Sequence, residues 1–210
     1  MHPNPGFRKT ARAEALAFAR TRSFGILASS GADAPDLAHI PFLLNENGTE
    51  AQLHLARSNP IARACTGPLP VKLAVSGPDG YISPDWYAME DQVPTWNYVA
   101  VHLTGTLHPL PLEALPEMLA AQSAGFETFL PKPPWTMDKL SEETLARLMR
   151  MIQPFRLDVT AVDSTYKLSQ NKPDSARLSA ARHVPDGFGT ELRQLSDLMR
   201  TPPPEGPEKG

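Results

Sequence analysis

VPTWNYVAVHLTG, residues 93–105, joins an aromatic, amide-bearing opening to a run of strict two-residue period. Val99, Val101, Leu103 and, just beyond, Leu107 fall on one face, and Ala100, His102, Thr104 and Thr106 fall on the other. Alternation of this kind is the mark of a half-buried β-strand. Ahead of the strand, Trp96 and Tyr98 flank Asn97 in what reads as a rigid loop. A free surface loop gains little from two large rings. A loop closing over a flat, polar-edged ring gains stacking area together with donors and acceptors.

Four short apolar runs precede this segment: Phe24–Ala28, Leu37–Leu44, Ala51–Leu55 and Leu69–Val75. Each is bounded by Gly, Pro, Asn or Asp, and Asn47-Gly48 between the second and third signals a hairpin. After it, Phe155–Val162 alternates, with Phe155, Leu157, Val159 and Ala161 predicted inward and Arg156, Asp158 and Thr160 outward. Helical patterns cover residues 8–20, where Ala13, Leu16, Ala17 and Arg20 share a face and Thr10 is a candidate cap. They recur over 113–125, over 141–152, which opens Ser141-Glu142-Glu143, and over 190–200. LPKPPW (130–135) is too proline-rich for either element. Short, closely spaced strands with helices appended rather than alternating predict a mainly β, α+β fold built on a small antiparallel barrel, not a doubly wound parallel sheet. The organisation expected is a barrel domain over 1–188 with a helical insertion at about 111–153. A C-terminal helix follows within 189–210, ending in a disordered tail, TPPPEGPEKG.

Composition narrows the function classes. At 210 residues and 41% hydrophobic, the chain supports a sizeable core, and no apolar run approaches the roughly 20 residues of a membrane span. Cys65 is the single cysteine, so no disulfide forms within the chain and a reducing cytoplasm is the expected compartment. No apolar leader follows Met1. The net charge is −3, and the basic residues are scattered rather than clustered, which does not support direct nucleic-acid binding. His39, His54, His102 and His108 have no metal-ligand spacing with Cys, Asp or Glu, and no P-loop, G-x-G-x-x-G or G-x-S-x-G is present. No metal site is expected.

Two further segments carry candidate chemistry. In HLARSNP (54–60), an apolar strand ends at Leu55, and Asn59-Pro60 reads as a helix N-cap followed by proline at the first helical position. Arg57, the Ser58 hydroxyl and the free N–H groups of that helix start form a site for a phosphate monoester. The same residues also fit a capped helix beside a solvated arginine. YKLSQN (166–171) places Lys167, Ser169, Gln170 and Asn171 directly after the last long strand, as donors to a ligand or as an ordinary polar strand exit. GPDGYISPDWY (77–87), rigid with proline and packed rings, reads as structural.

Taken in order, HIPF (39–42), HLARSNP (54–60), GPDGYISPDWY (77–87), VPTWNYVAVHLTG (93–105) and KLSQN (167–171) resemble the PaiB family of FMN-binding negative transcriptional regulators, over about 130 residues. The resemblance implies an FMN-binding split β-barrel, the fold of pyridoxamine phosphate oxidases, and a homodimer with flavin sites at the subunit interface. It implies that Arg57, Ser58 and Asn59 hold the FMN phosphate, that His54 is among the cofactor-binding residues, and that His39 and Ile40 present backbone groups to the isoalloxazine edge. Trp96 and Asn97 would border the ring, and Lys167, Gln170 and Asn171 would close the site. The chain departs from the family pattern at Gln52-Leu53, at Tyr166 where tryptophan is usual, and in KPDSARLSAARHV after Asn171. The function implied is negative regulation of transcription, indirect given the acidic chain. The alternative is an FMN-dependent oxidoreductase of the pyridoxamine phosphate oxidase or flavin reductase type, with Trp96, Tyr98, Tyr81 and His102 beside the ring.

Overall fold

The computed structural model describes residues 1–207. In chain order its elements are α1 (Arg12–Arg22), β1 (Phe24–Ser29), β2 (Asp36–Pro41), β3 (Leu43–Leu44), β4 (Glu50–Ala56), α2 (Pro60–Ala64), β5 (Leu69–Ile82), β6 (Thr95–Pro109), α3 (Leu115–Glu127), α4 (Glu142–Met149), β7 (Ile152–Lys167), α5 (Asp174–His183), β8 (Gly189–Thr190) and α6 (Leu192–Arg200). The strands follow the order β2-β1-β5-β6-β7-β4-β3, with β8 added to β5. This is an eight-stranded antiparallel sheet that does not close, the split form of the expected barrel. No helix among the described residues is long and apolar enough to cross a membrane.

Contacts divide the chain into two compact units. The first comprises residues 1–18, 75–102 and everything from 162 onward; the second comprises 19–74 and 103–161.

In the second unit, β1 pairs β2 with Ile26 opposite His39, and pairs β5 with Leu27 opposite Leu73. β4 pairs β7 with Leu53 opposite Phe155. Alternation buries Leu27, Leu53, Leu55, Leu73, Leu103, Leu107, Phe155 and Leu157. The Asn47-Gly48 hairpin forms between β3 and β4: Gly48 adopts a φ of 66°, and the Asn45 side chain accepts from the N–H groups of Thr49 and Glu50. The helices expected over 113–125 and 141–152 are α3 and α4, the latter capped by Ser141, whose hydroxyl accepts from Thr144 N–H at 3.2 Å. LPKPPW is held in place, because the Glu127 carboxylate accepts from Trp135 N–H and from the Lys132 ammonium.

In the first unit, Ile82, Tyr87, Val99, Tyr166 and Leu168 pack with Ala176, Ala180 and Ala181 of α5 and with Leu195 and Met199 of α6.

Several expectations need correction. Trp96–Tyr98 is not a loop: β6 begins at Thr95, and Asn97 occupies the same buried face as Val99. The two-residue period simply continues through a polar residue. β5 likewise runs on through Gly77–Ile82, a stretch expected to be a tight course. In β7 only Phe155 and Leu157 are buried as predicted; Val159 is half-exposed and Ala161 exposed. The buried face of α1 is Ala15, Leu16 and Ala19 rather than Ala13 and Ala17. α5 carries no apolar stripe in sequence, since its packing face is alanine, and it was not foreseen.

The tail expected to be disordered from Thr201 is tied to the N-terminal segment. Pro204 C=O accepts from Ala11 N–H at 3.0 Å, Gly206 N–H donates to Lys9 C=O at 2.7 Å, and Thr10 bridges Glu205. Backbone pairing supplies the order that apolar burial does not. The remainder of that call, residues 208–210, lies outside the described residues.

Candidate functional site

HLARSNP folds as its residues dictate. β4 ends at Ala56, and the Asn59 side chain accepts from Ile61 N–H at 2.9 Å to cap α2, with Pro60 at its first position. α2 has only five residues; its proline lacks an N–H and its next N–H is taken by the cap. The helix start therefore offers a phosphate little, and Asn59 is a structural cap. What remains is Arg57 and Ser58, both exposed. Arg57 is fastened twice to the start of β7: its N–H donates to Met151 C=O at 3.0 Å and its Nε to Ile152 C=O at 3.2 Å. Its two terminal nitrogens have no partner among the described residues. A guanidinium held by Nε with its outer fork free is ready to bind an oxyanion at two points.

His54 precedes this fork on β4. Its Nδ1 pairs with Gln122 Oε1 of α3 at 3.0 Å, and Gln122 Nε2 donates to Gln52 C=O at 3.3 Å. Gln122 is 4% exposed, so the pair latches α3 to β4. Burial holds the His54 pKa below its ordinary value, and the Gln122 hydrogen bond offsets part of that shift. As pH falls below about 6.5, the unfolded chain takes up a proton at this position that the folded chain resists. Stability should then decline with acidification until the lowered folded-state pKa is passed. Thermal melts of the wild type and of His54→Gln between pH 8 and 5 check this; the variant should lose this component of the acid-side decline, and an identical pH profile would contradict it.

His39 and Ile40 lie on β2, an edge strand of the sheet. His39 is exposed and Ile40 buried, and among the described residues one side of the β2 backbone has no partner strand, as presentation of backbone groups to a ligand requires. Cys65 follows α2, buried, with Sγ 3.3 Å from Gly67 C=O, and burial pushes its thiol pKa up. A thiol so placed is unreactive.

The remaining candidates lie in the first unit. Trp96 is 43% exposed and meets Tyr81 and Phe188 edge-on, with ring centroids 6.4 and 5.7 Å away. Beside it, Ser76, Asp79, Trp96 and Tyr98 border an open groove of about 460 Å³. Asn97, expected at a ring edge, is wholly buried. Its Nδ2 donates to Ser169 Oγ at 2.8 Å, Ser169 Oγ lies 2.7 Å from Tyr87 Oη, and Asn97 Oδ1 has no partner among the described residues. This network pins Ser169, which sits at a φ of 62° in the left-handed region, and so fixes the KLSQN turn. Lys167 Nζ donates to Thr95 Oγ1 and lies over the Phe7 ring. Gln170 spends both ends of its amide inside the turn, on Leu168 N–H and Tyr166 C=O. Asn171 is exposed. Arg177 caps α6 by donating to the carbonyls of Met199 and Arg200.

The site residues thus divide into two sets. His39, Ile40, His54 and Arg57–Asn59 belong to one compact unit; Trp96, Asn97, Lys167, Gln170 and Asn171 belong to the other. Sequence reasoning missed Gln122 and the Tyr87–Ser169–Asn97 network. No local signal marks them, because the partners lie far apart in the chain: 68 residues separate His54 from Gln122 and 72 separate Asn97 from Ser169.

Residues 1–161 match the family model described as "Putative FMN-binding domain". Over 196 residues the chain is 30% identical to the protease synthase and sporulation protein PAI 2 of Bacillus subtilis, covering 92% of this chain and 93% of that protein. The chain belongs to this PaiB-type FMN-binding family. A second relative, an uncharacterized protein of Saccharomyces cerevisiae, is 37% identical over 94 residues, 40% of this chain and 56% of that protein. Among solved structures, the FAD and heme binding protein of Mycobacterium smegmatis superposes with a TM-score of 0.57 at 17% identity, covering 88% of this chain and 82% of that one. The flavocytochrome Anf3 of Azotobacter vinelandii gives 0.55 at 12% identity, covering 79% and 72%. At such identities these likenesses establish the family's split-barrel fold and nothing finer.

Proposed function

We propose that this chain binds FMN, with the terminal phosphate on the free fork of Arg57 and the Ser58 hydroxyl. The observation that carries the reading is the Arg57 geometry: Nε is anchored to Ile152 C=O, and the outer nitrogens are unpartnered and exposed within the segment that the FMN-binding family model covers. His39 and Ile40 on the open edge of β2 are candidates for the isoalloxazine edge, and the exposed face of Trp96 is a candidate for stacking. Lys167 and Asn171 would contribute from the C-terminal side, whereas Asn97 and Gln170 act by shaping their surroundings. The assembly proposed is a homodimer with flavin at the subunit interface.

The role proposed is negative regulation of gene expression, which rests on membership of the PaiB-type family. A net charge of −3 disfavours a direct grip on phosphodiesters, so regulation would pass through a partner or a metabolite. The 460 Å³ groove with its aromatic and carboxylate border favours a second reading, a flavin-dependent oxidoreductase. When bound, FMN supplies the redox chemistry and the protein supplies orientation. Denaturing the purified protein and chromatographing what it releases tests the first claim: FMN in about one equivalent per chain is expected, and failure to retain or take up FMN contradicts it. Stopped-flow reduction by NADH and NADPH separates the roles, because reduction no faster than that of free FMN removes the oxidoreductase reading.

A further inference from the structure

The helical part of the second unit forms an apolar pocket, open to solvent, for which the flavin reading has no use. It measures about 350 Å³ and is walled by Leu119 of α3, Trp135, Met137, Leu145 and Met149 of α4, and Met151. None of its lining side chains is charged, and Ser123 supplies the single hydroxyl. Leu148 and Met151 line it while remaining 43% and 62% exposed, so the cavity communicates with solvent.

Two connections join this cavity to the HLARSNP segment. Met151 and Ile152, both lining residues, are the two whose carbonyls fasten Arg57. Ser123 also lines it, and the residue before it, Gln122, is the latch on His54 and on Gln52 C=O. Any ligand that presses on these walls acts on the backbone that holds the guanidinium in place.

We propose that this cavity binds an uncharged two-ring aromatic molecule, and that its occupancy alters the hold on Arg57. Size and lining both point to this class. An apolar protein cavity of about 150 Å³ accommodates one benzene ring, and this one is a little more than twice as large. The wall carries no charged side chain, so it offers a charged occupant no partner and matches a neutral one. Met137, Met149 and Met151 supply flexible, polarizable contacts that favour aromatic rings, and Trp135 adds an aromatic wall.

The test uses the full chain labelled with 13C at the methionine methyls, titrated with 2-naphthol and observed by NMR. Of the seven methionines, Met137, Met149 and Met151 are expected to shift together and saturably, and the Arg57 Nε–H resonance to move with them. Ser123→Phe, which fills the cavity, should abolish these shifts. If that variant fails to fold, the wild-type titration decides alone. Absent shifts, or shifts confined to Met89 on the exposed surface, overturn the site. Displacement of naphthol by dodecanol at lower concentration assigns the cavity to acyl chains instead, and shifts produced by raising protein concentration alone assign it to a second copy. Methionine shifts with an unmoved Arg57 Nε overturn the coupling. The consequence for flavin rests on the phosphate reading of Arg57: FMN affinity should change about fivefold or more with naphthol bound. FMN failing to bind in either condition contradicts that reading and leaves the cavity to the methionine result.

Discussion

Arg57→Ala is expected to weaken FMN binding by about 10- to 150-fold while leaving riboflavin binding within about twofold. A hydrogen bond to a charged group contributes about 1.5–3 kcal/mol, and each 1.4 kcal/mol is about tenfold in affinity. The free fork of Arg57 is the charged donor available in HLARSNP, because Asn59 is committed to its cap and α2 is too short to offer its own N–H groups. Riboflavin lacks the phosphate and makes no use of the fork. Arg57→Lys should recover part of the loss, since an ammonium keeps the charge but not the two-point geometry. Paired titrations followed by flavin fluorescence, with circular dichroism to verify the fold, check this. Equal losses for FMN and riboflavin would place the effect in the fold rather than in phosphate recognition.

The largest stability effect is expected at Gly105, the last residue of VPTWNYVAVHLTG. A Cβ built there stands 2.0 Å from the Asp158 carbonyl oxygen and 3.0 Å from Leu157 Cδ1. Backbone cannot yield as a flexible side chain does, so even alanine forces β6 and β7 apart locally. Overpacking of this kind costs typically 1–3 kcal/mol, occasionally more, and a backbone clash belongs at the upper end. Gly105→Ala should lower stability by about 3 kcal/mol, which for a chain of this length is about 6–12 °C in Tm. Gly67 is the control: nothing lies within 4 Å of its Cβ position, and Gly67→Ala should melt as the wild type does. Equal melting of the two variants would show that β6 and β7 separate at no cost.

These two predictions lie on opposite sides of what the sequence discloses. The buried face of β6 is legible residue by residue, because Val99, Val101, Leu103 and Leu107 keep a two-residue period and no tertiary contact needs to override it. The Asn59-Pro60 helix start is equally local, a cap and a ring constraint adjacent in the chain. Asn97 misleads for a physical reason: an amide at a core position is indistinguishable in sequence from a loop amide until Ser169, 72 residues away, provides its partner. α5 is silent because alanines at 176, 180 and 181 bury little area each and bind by close approach rather than by an apolar stripe. The tail misleads in the opposite sense, since proline-rich, polar sequence can still be ordered when its backbone pairs with residues 9–11. For the phosphate candidate, the sequence places an arginine beside a helix start; the structure anchors that arginine by its Nε and gives the helix behind it only five residues, a length no local signal fixed.

The FMN phosphate is proposed to sit on the Arg57 fork, and 31P NMR of FMN added to the apoprotein tests this most directly. A free phosphate monoester loses its second proton near pH 6. Beside a fixed guanidinium the dianion is favoured, so the bound phosphorus resonance should titrate at lower pH than that of free FMN and return toward the free value in Arg57→Ala. A bound flavin spectrum accompanied by a phosphorus resonance that titrates as in free FMN would contradict the claim.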